Sequence, residues 1–174
     1  GRLLQVPLTF RSNVPADKLL ALTWQAQVKR DLSDCLVLEL VGVESTTVYR
    51  QLGEGAFKAV MLDWRGTYPD PEAYLTPLLS CSNPSGEICL DGEAAISGSF
   101  WSTSGLQEAL RSSDELRGAA RHAELKRIER MSALGAAYIP VWLESPRAWG
   151  QTDLSVPEFD GSGHVRLNRL RRTR

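Results

Sequence analysis

The chemistry-bearing residues of this 174-residue chain are densest in Asp63-Trp-Arg-Gly-Thr-Tyr-Pro-Asp-Pro-Glu72. Its carboxylates Asp63, Asp70 and Glu72 are of the type used for acid/base work, but neighbouring acids in a turn-rich segment more often form turns and helix caps. The rest of the stretch points elsewhere. Trp64 and Tyr68 offer flat apolar area, Arg65 and Thr67 offer a few orienting polar groups, and Gly66 permits close backbone approach, a combination suited to a small-molecule pocket. Pro69 and Pro71 stiffen the exit. On the residues alone, the two rings either line such a pocket or pack beneath the loop as core.

Other reactive groups are sparse. There is no GxSxG elbow, GxxxxGK[ST] loop, HExxH or GxGxxG. His122 and His164 have no partner at a catalytic or metal-ligating spacing and read as surface histidines. Cys35, Cys81 and Cys89 fit neither CxxC nor a zinc pattern. Cys35 leads an apolar stretch and is read as core. Cys81 and Cys89 flank a turn-like segment, Ser82 to Ile88, and form either a disulfide or two free thiols. As a disulfide they contribute about 2 to 3 kcal/mol, in an oxidising compartment. No metal ligand set or cofactor is expected.

The elements that position the aromatic stretch follow from apolar spacing. Leu3 to Phe10 predicts a strand, with Pro7 placing it near an edge or bulge. A helix from Pro15 to about Arg30 follows, with Asp17 complementing its dipole and Leu19, Leu20, Leu22, Ala26 and Val28 on its apolar face. Cys35 to Val41 predicts a well-buried strand, Ser45 to Leu52 a short helix, and Phe57 to Leu62 a third strand. Strands alternating with helices imply a parallel α/β sheet with right-handed crossovers. Ligands of such sheets gather at the carboxyl ends of the strands, here Arg11 to Pro15, Gly42 to Ser45 and above all Trp64 to Pro71.

Further along, Glu72 to Leu79 predicts a helix whose start Asp70 caps. Ser104-Gly-Leu-Gln107 has capping-box spacing and opens a second helix reaching Ser112. A third runs from about Arg117 to Ala136, with Leu116, Ala120, Ala123, Met131 and Leu134 on one stripe and Leu125 and Ile128 widening it. Tyr138 to Glu144 predicts a last strand of the main body. Gln151 to Gly163 reads as an irregular surface crossing before a short strand at His164 to Leu167.

Composition agrees with an ordinary folded domain: 43% hydrophobic, 24% charged, with 20 basic against 21 acidic residues. A net charge of -1 provides no overall field for phosphate backbones, so nucleic acid is not expected as a partner. The one asymmetry, Arg166, Arg169, Arg171, Arg172 and Arg174, reads as a frayed, solvated tail. No apolar run approaches the roughly 20 residues of a membrane-spanning helix. The opening Gly1-Arg2 runs directly into an apolar strand, as expected of an excised piece.

Phe57-Lys-Ala-Val-Met-Leu-Asp-Trp-Arg-Gly-Thr-Tyr-Pro-Asp-Pro71, with Tyr74-Leu-Thr-Pro-Leu-Leu-Ser80, resembles a segment of family 5 extracellular solute-binding proteins that usually reads Gly-Trp-x-x-Asp-Tyr-x-x-Pro. These are dipeptide, oligopeptide and nickel-type receptors of ABC importers. Gly53-Glu-Gly55, the 117–136 helix, Ala137-Tyr-Ile-Pro-Val-Trp142 and Phe159-Asp-Gly-Ser-Gly163 fall in the family's order. The resemblance implies a periplasmic-binding-protein-like lobe, with a mixed, mostly parallel sheet flanked by helices. Residues 1–150 would form the second lobe of a two-lobed protein, and 151–174 a crossing segment toward a first lobe absent from this chain. It implies a periplasmic or extracellular location, where a Cys81–Cys89 disulfide survives.

The implied function is capture of a peptide-like or other small polar solute and its delivery, by hinge closure, to the transmembrane subunits of an ABC permease. No bond is made or broken. Trp64 and Tyr68 would stack on solute, Thr67 and the backbone at Gly66 would hydrogen-bond it, and Arg65 would contact an anionic group. Thr67 stands where peptide receptors often carry an aspartate for the peptide amino terminus, which leaves a sugar, an opine-like compound, a metal chelate or a differently anchored peptide open. The fragment is expected to fold but to bind weakly, because half the cleft walls are missing. The alternatives are a free-standing α/β interaction module and, more distantly, a hydrolase using Cys81 or Cys89.

Overall fold

A computed structural model describes residues 3–173. The first half is a β-α-β-α-β unit: β1 (Leu4–Arg11), α1 (Pro15–Asp31), β2 (Leu36–Val43), α2 (Ser45–Gln51) and β3 (Ala59–Val60). All three strands are parallel, in the order β2-β1-β3. The registers run from Leu4↔Leu36 to Arg11↔Val43 on one side and through Leu8↔Ala59 and Thr9↔Val60 on the other. The third strand is shorter than its apolar run suggests, although the Met61 N–H continues the ladder to the Thr9 carbonyl at 2.9 Å.

Pro7 sits in the central strand rather than at an edge. The N–H groups of Leu4 and Ser12 bond toward β2, at Cys35 and Val43, while Thr9 faces β3. By this alternation Pro7 lacks its donor on the β3 side, where pairing starts only at Leu8. The proline therefore breaks no ladder bond.

A core of Leu8, Phe10, Ala21 and Met61, with Leu20, Trp24, Leu38, Leu40 and Ala59 packed around it, joins α1 to one sheet face. The expected deep burial of β2 does not occur. It is an edge strand covered on one face, so Glu39 and Val41 on the other face are exposed. Leu19 and Leu22 of α1 are likewise exposed, and the face the helix buries is centred on Ala21 and Asp17. Cys35, expected in the core, is exposed just before β2 begins.

The second half is helical, with α3 (Glu72–Leu79), a hairpin of β4 (Pro84–Ser85) and β5 (Ile88–Cys89), α4 (Glu93–Ile96), α5 (Leu106–Glu115) and α6 (Gly118–Gly135). Leu79, Leu106, Ala109, Leu110, Leu125 and Ile128 form its core. In α6 it is Leu125 and Ile128 that are buried; Ala120, Ala123 and Leu134 of the expected stripe are exposed. Cys81 and Cys89 form a disulfide that closes the hairpin against Ala94, Ala95 and Phe100.

The capping box expected at Ser104 is not made. Gly105, at φ 77°, precedes the first turn of α5 without a side-chain cap. Gln107 instead reaches across to α3, accepting from the Cys81 N–H at 2.9 Å and donating to the Leu79 carbonyl at 3.0 Å. Tyr138 to Glu144 is not a strand, since no ladder partner lies beside it among the described residues and Pro140 interrupts its donors. The strand expected at His164–Leu167 is reduced to one bridge, Phe159↔Val165.

The basic end is tied down rather than frayed over its described length. Leu154 bridges Arg172, the Ser155 N–H donates to the Arg171 carbonyl, and Arg169 pairs with Glu158 at 3.2 Å. No helix among the described residues is long and apolar enough to cross a membrane.

Candidate ligand-binding site

Carboxyl ends of parallel strands carry unpaired backbone and irregular loops, so they are where such a sheet meets a ligand. Here β1 ends at Arg11, and β3 runs through Met61 into the loop Asp63–Pro71. Both indicator rings are on its surface: Trp64 is 47% exposed and Tyr68 42%. The alternative in which they pack beneath the loop as core is excluded.

The loop is braced on several sides. The Trp64 indole Nε1–H donates to the Ala73 carbonyl at 3.0 Å, fixing one edge of the ring over the first turn of α3. Gly66 is buried against the same helix, where a β-carbon would lie 2.8 Å from the Tyr74 ring and 3.2 Å from the Ala73 methyl. The Tyr68 hydroxyl donates to Glu72, and that bond pushes the phenol up to about 12.

Asp70 does two things at once. Its Oδ1 accepts from the Glu72 N–H at 2.9 Å, the cap read from sequence. Its two oxygens also receive the Arg121 guanidinium of α6, at 2.8 and 3.0 Å. The Arg121 hydrogen bonds, followed by that from Glu72, hold the Asp70 carboxyl below its ordinary range. A fork of this kind fixes direction as well as distance, so α6 orients the loop.

The late Asp160–Gly163 turn packs on the loop from another side. The Ser162 hydroxyl donates to the Thr67 carbonyl at 3.2 Å, and a β-carbon on Gly161 would lie 2.9 Å from the Pro69 ring. Asp160 closes this turn by accepting the N–H groups of His164 and Ser162, which keep its carboxyl low. His164 stands 3.7 Å from Asp160 and is half exposed.

The structure thus gathers Trp64, Arg65, Gly66, Thr67 and Tyr68 on one braced loop, with Arg65 and Thr67 exposed. The three acids do not share a site. Glu72 serves Tyr68, Asp70 serves Arg121, and Asp63 belongs to a different group that sequence reasoning did not single out.

That group is assembled from four elements. Arg11, at the end of β1, is buried and forms a two-point pair with Asp17 in the first turn of α1, Nε to Oδ2 at 2.7 Å and Nη2 to Oδ1 at 3.1 Å. Its Nη1 points outward and donates to the Tyr49 hydroxyl of α2, at 3.0 Å, and to Asp63 Oδ1. Tyr49 also donates to Asp63 Oδ1. The hydrogen bond that Arg11 donates to Asp17 raises the guanidinium well above its usual value, so its charge is permanent. Partial burial raises the Asp63 carboxyl, but the Tyr49 hydroxyl and the Arg11 guanidinium outweigh it and hold the group below the usual carboxylate range. The available signal was an arginine ending a strand with an aspartate six residues on, at the start of a helix.

No group of three or more metal-ligating side chains occurs among the described residues. His122 is exposed, and the disulfide leaves neither Cys81 nor Cys89 as a free nucleophile.

No protein-family model matches the chain, and no curated protein sequence matches it. Solved structures do. The chain superposes on the pheromone receptor PrgZ, described with its mode of peptide binding, with a TM-score of 0.71 over 98% of its length at 15% identity. It superposes on the Escherichia coli murein tripeptide binding protein MppA with a TM-score of 0.63 over 77% of its length at 19% identity. For NikZ from Campylobacter jejuni, in complex with Ni(L-His), the TM-score is 0.60 over 79% of the chain at 14% identity. The matched part amounts to 30%, 24% and 26% of those chains respectively. With its small parallel sheet flanked by helices, the chain has the fold of part of the periplasmic-type, family 5 solute-binding proteins that its sequence resembles.

Proposed function

We propose that the chain is one lobe of a solute-binding protein, holding a small polar solute on Trp64, Arg65, Gly66, Thr67 and Tyr68 at the carboxyl end of its sheet. The observation that carries this reading is the pair of exposed rings on a loop anchored to α3, α6 and the 160–163 turn. Exposed large aromatics cost free energy in water, and fixing them in one orientation suits a surface that stacks on a ligand.

In the full protein the first lobe folds over the solute about a hinge, and the closed form is delivered to an ABC-type permease in the periplasm or at the cell surface. The 137–150 segment supports such a neighbour. Ile139, Trp142, Leu143 and Trp149 are largely exposed, Leu143 to 96%, along a stretch without regular secondary structure and with no partner strand among the described residues. Residues 151–173 are read as the crossing toward it.

The test is tryptophan fluorescence of the chain titrated with short peptides, neutral oligosaccharides and a nickel–histidine chelate, beside Trp64→Phe. At least one class quenches or shifts emission in the wild type, and the response is lost in the variant. A response that survives in the variant, or none from any class at millimolar concentration, refutes the site. If a stable dimer forms through the loop face in size-exclusion chromatography, the interaction-module reading replaces it.

A further inference from the structure

The outer strand of the sheet, β2, has an open edge. The N–H groups of Leu4 and Ser12 donate to the Cys35 and Val43 carbonyls. By the alternation of a parallel ladder, the odd-numbered residues of β2 turn their backbone groups to β1, and Leu36, Leu38, Leu40 and Gly42 turn theirs outward. No strand lies on that side among the described residues. With eight residues the edge is longer than the roughly five to six of an average strand, and Glu39 is its one charged residue. A long apolar edge with free N–H and C=O groups is a template for another strand.

Two of the outward groups are nevertheless taken. The Leu36 N–H donates to the Leu32 carbonyl at 2.9 Å, at the entry to the strand. In the middle of the edge, the side-chain amide of Gln25 on α1 donates to the Leu38 carbonyl, also at 2.9 Å. The two residues meet because Leu38 packs into the core beneath α1. Helical spacing sets Lys18, Leu22 and Lys29 on the same flank of α1 as Gln25, and all three are exposed. Lysines beside an edge and an occupied central acceptor both oppose the addition of a strand.

We infer that Gln25 is the gate on this edge: while its amide holds the Leu38 carbonyl, β2 stays closed to strand addition, and without it β2 pairs antiparallel with β2 of a second copy about a two-fold axis. The register follows from charge. Centring the axis on Leu40 sets Leu38 opposite Gly42 and Glu39 opposite Val41, whereas centring it on Glu39 sets two carboxylates against each other. In the Leu40-centred register the Gly42 N–H of one copy needs the Leu38 carbonyl of the other, the acceptor that Gln25 holds. The gate stands independently of the solute-binding reading.

The test is sedimentation velocity of the whole chain over a concentration series, wild type beside Gln25→Ala. The variant forms a dimer at least about tenfold more tightly than the wild type. In the Gln25→Ala background, Val41→Glu sets acids opposite Glu39 and restores wild-type behaviour, while Val41→Lys sets a base there and tightens the dimer further. Exchange of the Leu38 and Leu40 amides slows in the dimer, and the amides of α5 and α6 keep their wild-type positions. Equal association of wild type and Gln25→Ala overturns the gate. Association that ignores both Val41 substitutions, or leaves the Leu38 and Leu40 amides unprotected, overturns the edge as its site. Should Gln25→Ala not fold, Gln25→Met, which keeps the covering methylenes and loses the donor, takes its place with the same expectations.

Discussion

Replacing Asp17 by Asn is the most informative perturbation of the scaffold. The Arg11 and Asp17 side chains are only 9% and 6% accessible, and the two-point pair sits where β1 enters α1. Asn keeps the shape but removes the charge, leaving Arg11 buried against Asp63 alone. Breaking a buried pair by removing one partner typically costs about 3 to 5 kcal/mol. Asp63 lies on the exposed side and compensates in part, so the expected loss falls below that range, at about 2 to 3 kcal/mol. For a chain of this length that lowers Tm by roughly 5 to 10 °C. Urea unfolding followed by tryptophan emission is the assay, because Trp24 packs in the adjoining core. A double replacement, Arg11→Met with Asp17→Leu, is expected within about 1 kcal/mol of wild type, since the one charge left without its cation, Asp63, is 73% exposed and no buried charge is orphaned. A loss below about 0.5 kcal/mol for Asp17→Asn, or a double variant worse than the single, would refute the view that the pair's internal neutralisation holds this corner.

Reducing the Cys81–Cys89 disulfide, eight residues apart, is expected to cost about 2.5 kcal/mol from loop closure, read as an earlier urea midpoint with reductant present. No change in midpoint would show that the hairpin packing alone closes the turn. Gly66→Val forces side-chain atoms into the Tyr74 ring and the Ala73 methyl, costing on the order of 1 to 3 kcal/mol and displacing the loop; unchanged stability and loop amide shifts would contradict the packing. Asp70 has a folded pKa depressed by Arg121. Its contribution is thus complete above the ordinary carboxylate value and is lost as pH falls through the lower folded value. The Glu72 amide, hydrogen-bonded to Asp70, should report that transition, and Arg121→Gln should move it upward toward pH 4.

The first half of the fold was legible because local signals and topology agreed. Apolar runs of strand length separated by helices can be satisfied only by parallel crossovers, and α2 ends at Gln51, one residue before its expected end. Burial was less legible, because it depends on which elements lie opposite. The apolar run of β2 reads as buried, yet an edge strand covered on one face leaves Val41 in solvent. Gln107 shows the same limit: its spacing from Ser104 fits a local cap, but a distant backbone at Leu79 and Cys81 outcompetes it.

For the site, sequence identified the loop and not its supports. Trp64 to Tyr68 stand out by residue type within one segment, and the position after a strand gives them a place. Arg121, Ser162 and the Arg11–Asp17–Tyr49 group lie up to 95 residues from what they hold. Only packing brings them there. Tyr138 to Glu144 carries the pattern of a strand but has no neighbour to pair with among the described residues, as expected if its partner belongs to another lobe.

The central claim is that the Trp64–Tyr68 loop is a preformed solute face. A crystal structure of the chain soaked with whichever compound gives the largest fluorescence response tests it most directly. The account predicts density in van der Waals contact with the Trp64 and Tyr68 rings, with the Asp70–Arg121 fork and the Ser162 hydrogen bond unchanged. Density elsewhere, for instance in the groove between Trp101 and Met131, with the loop bare, would contradict it.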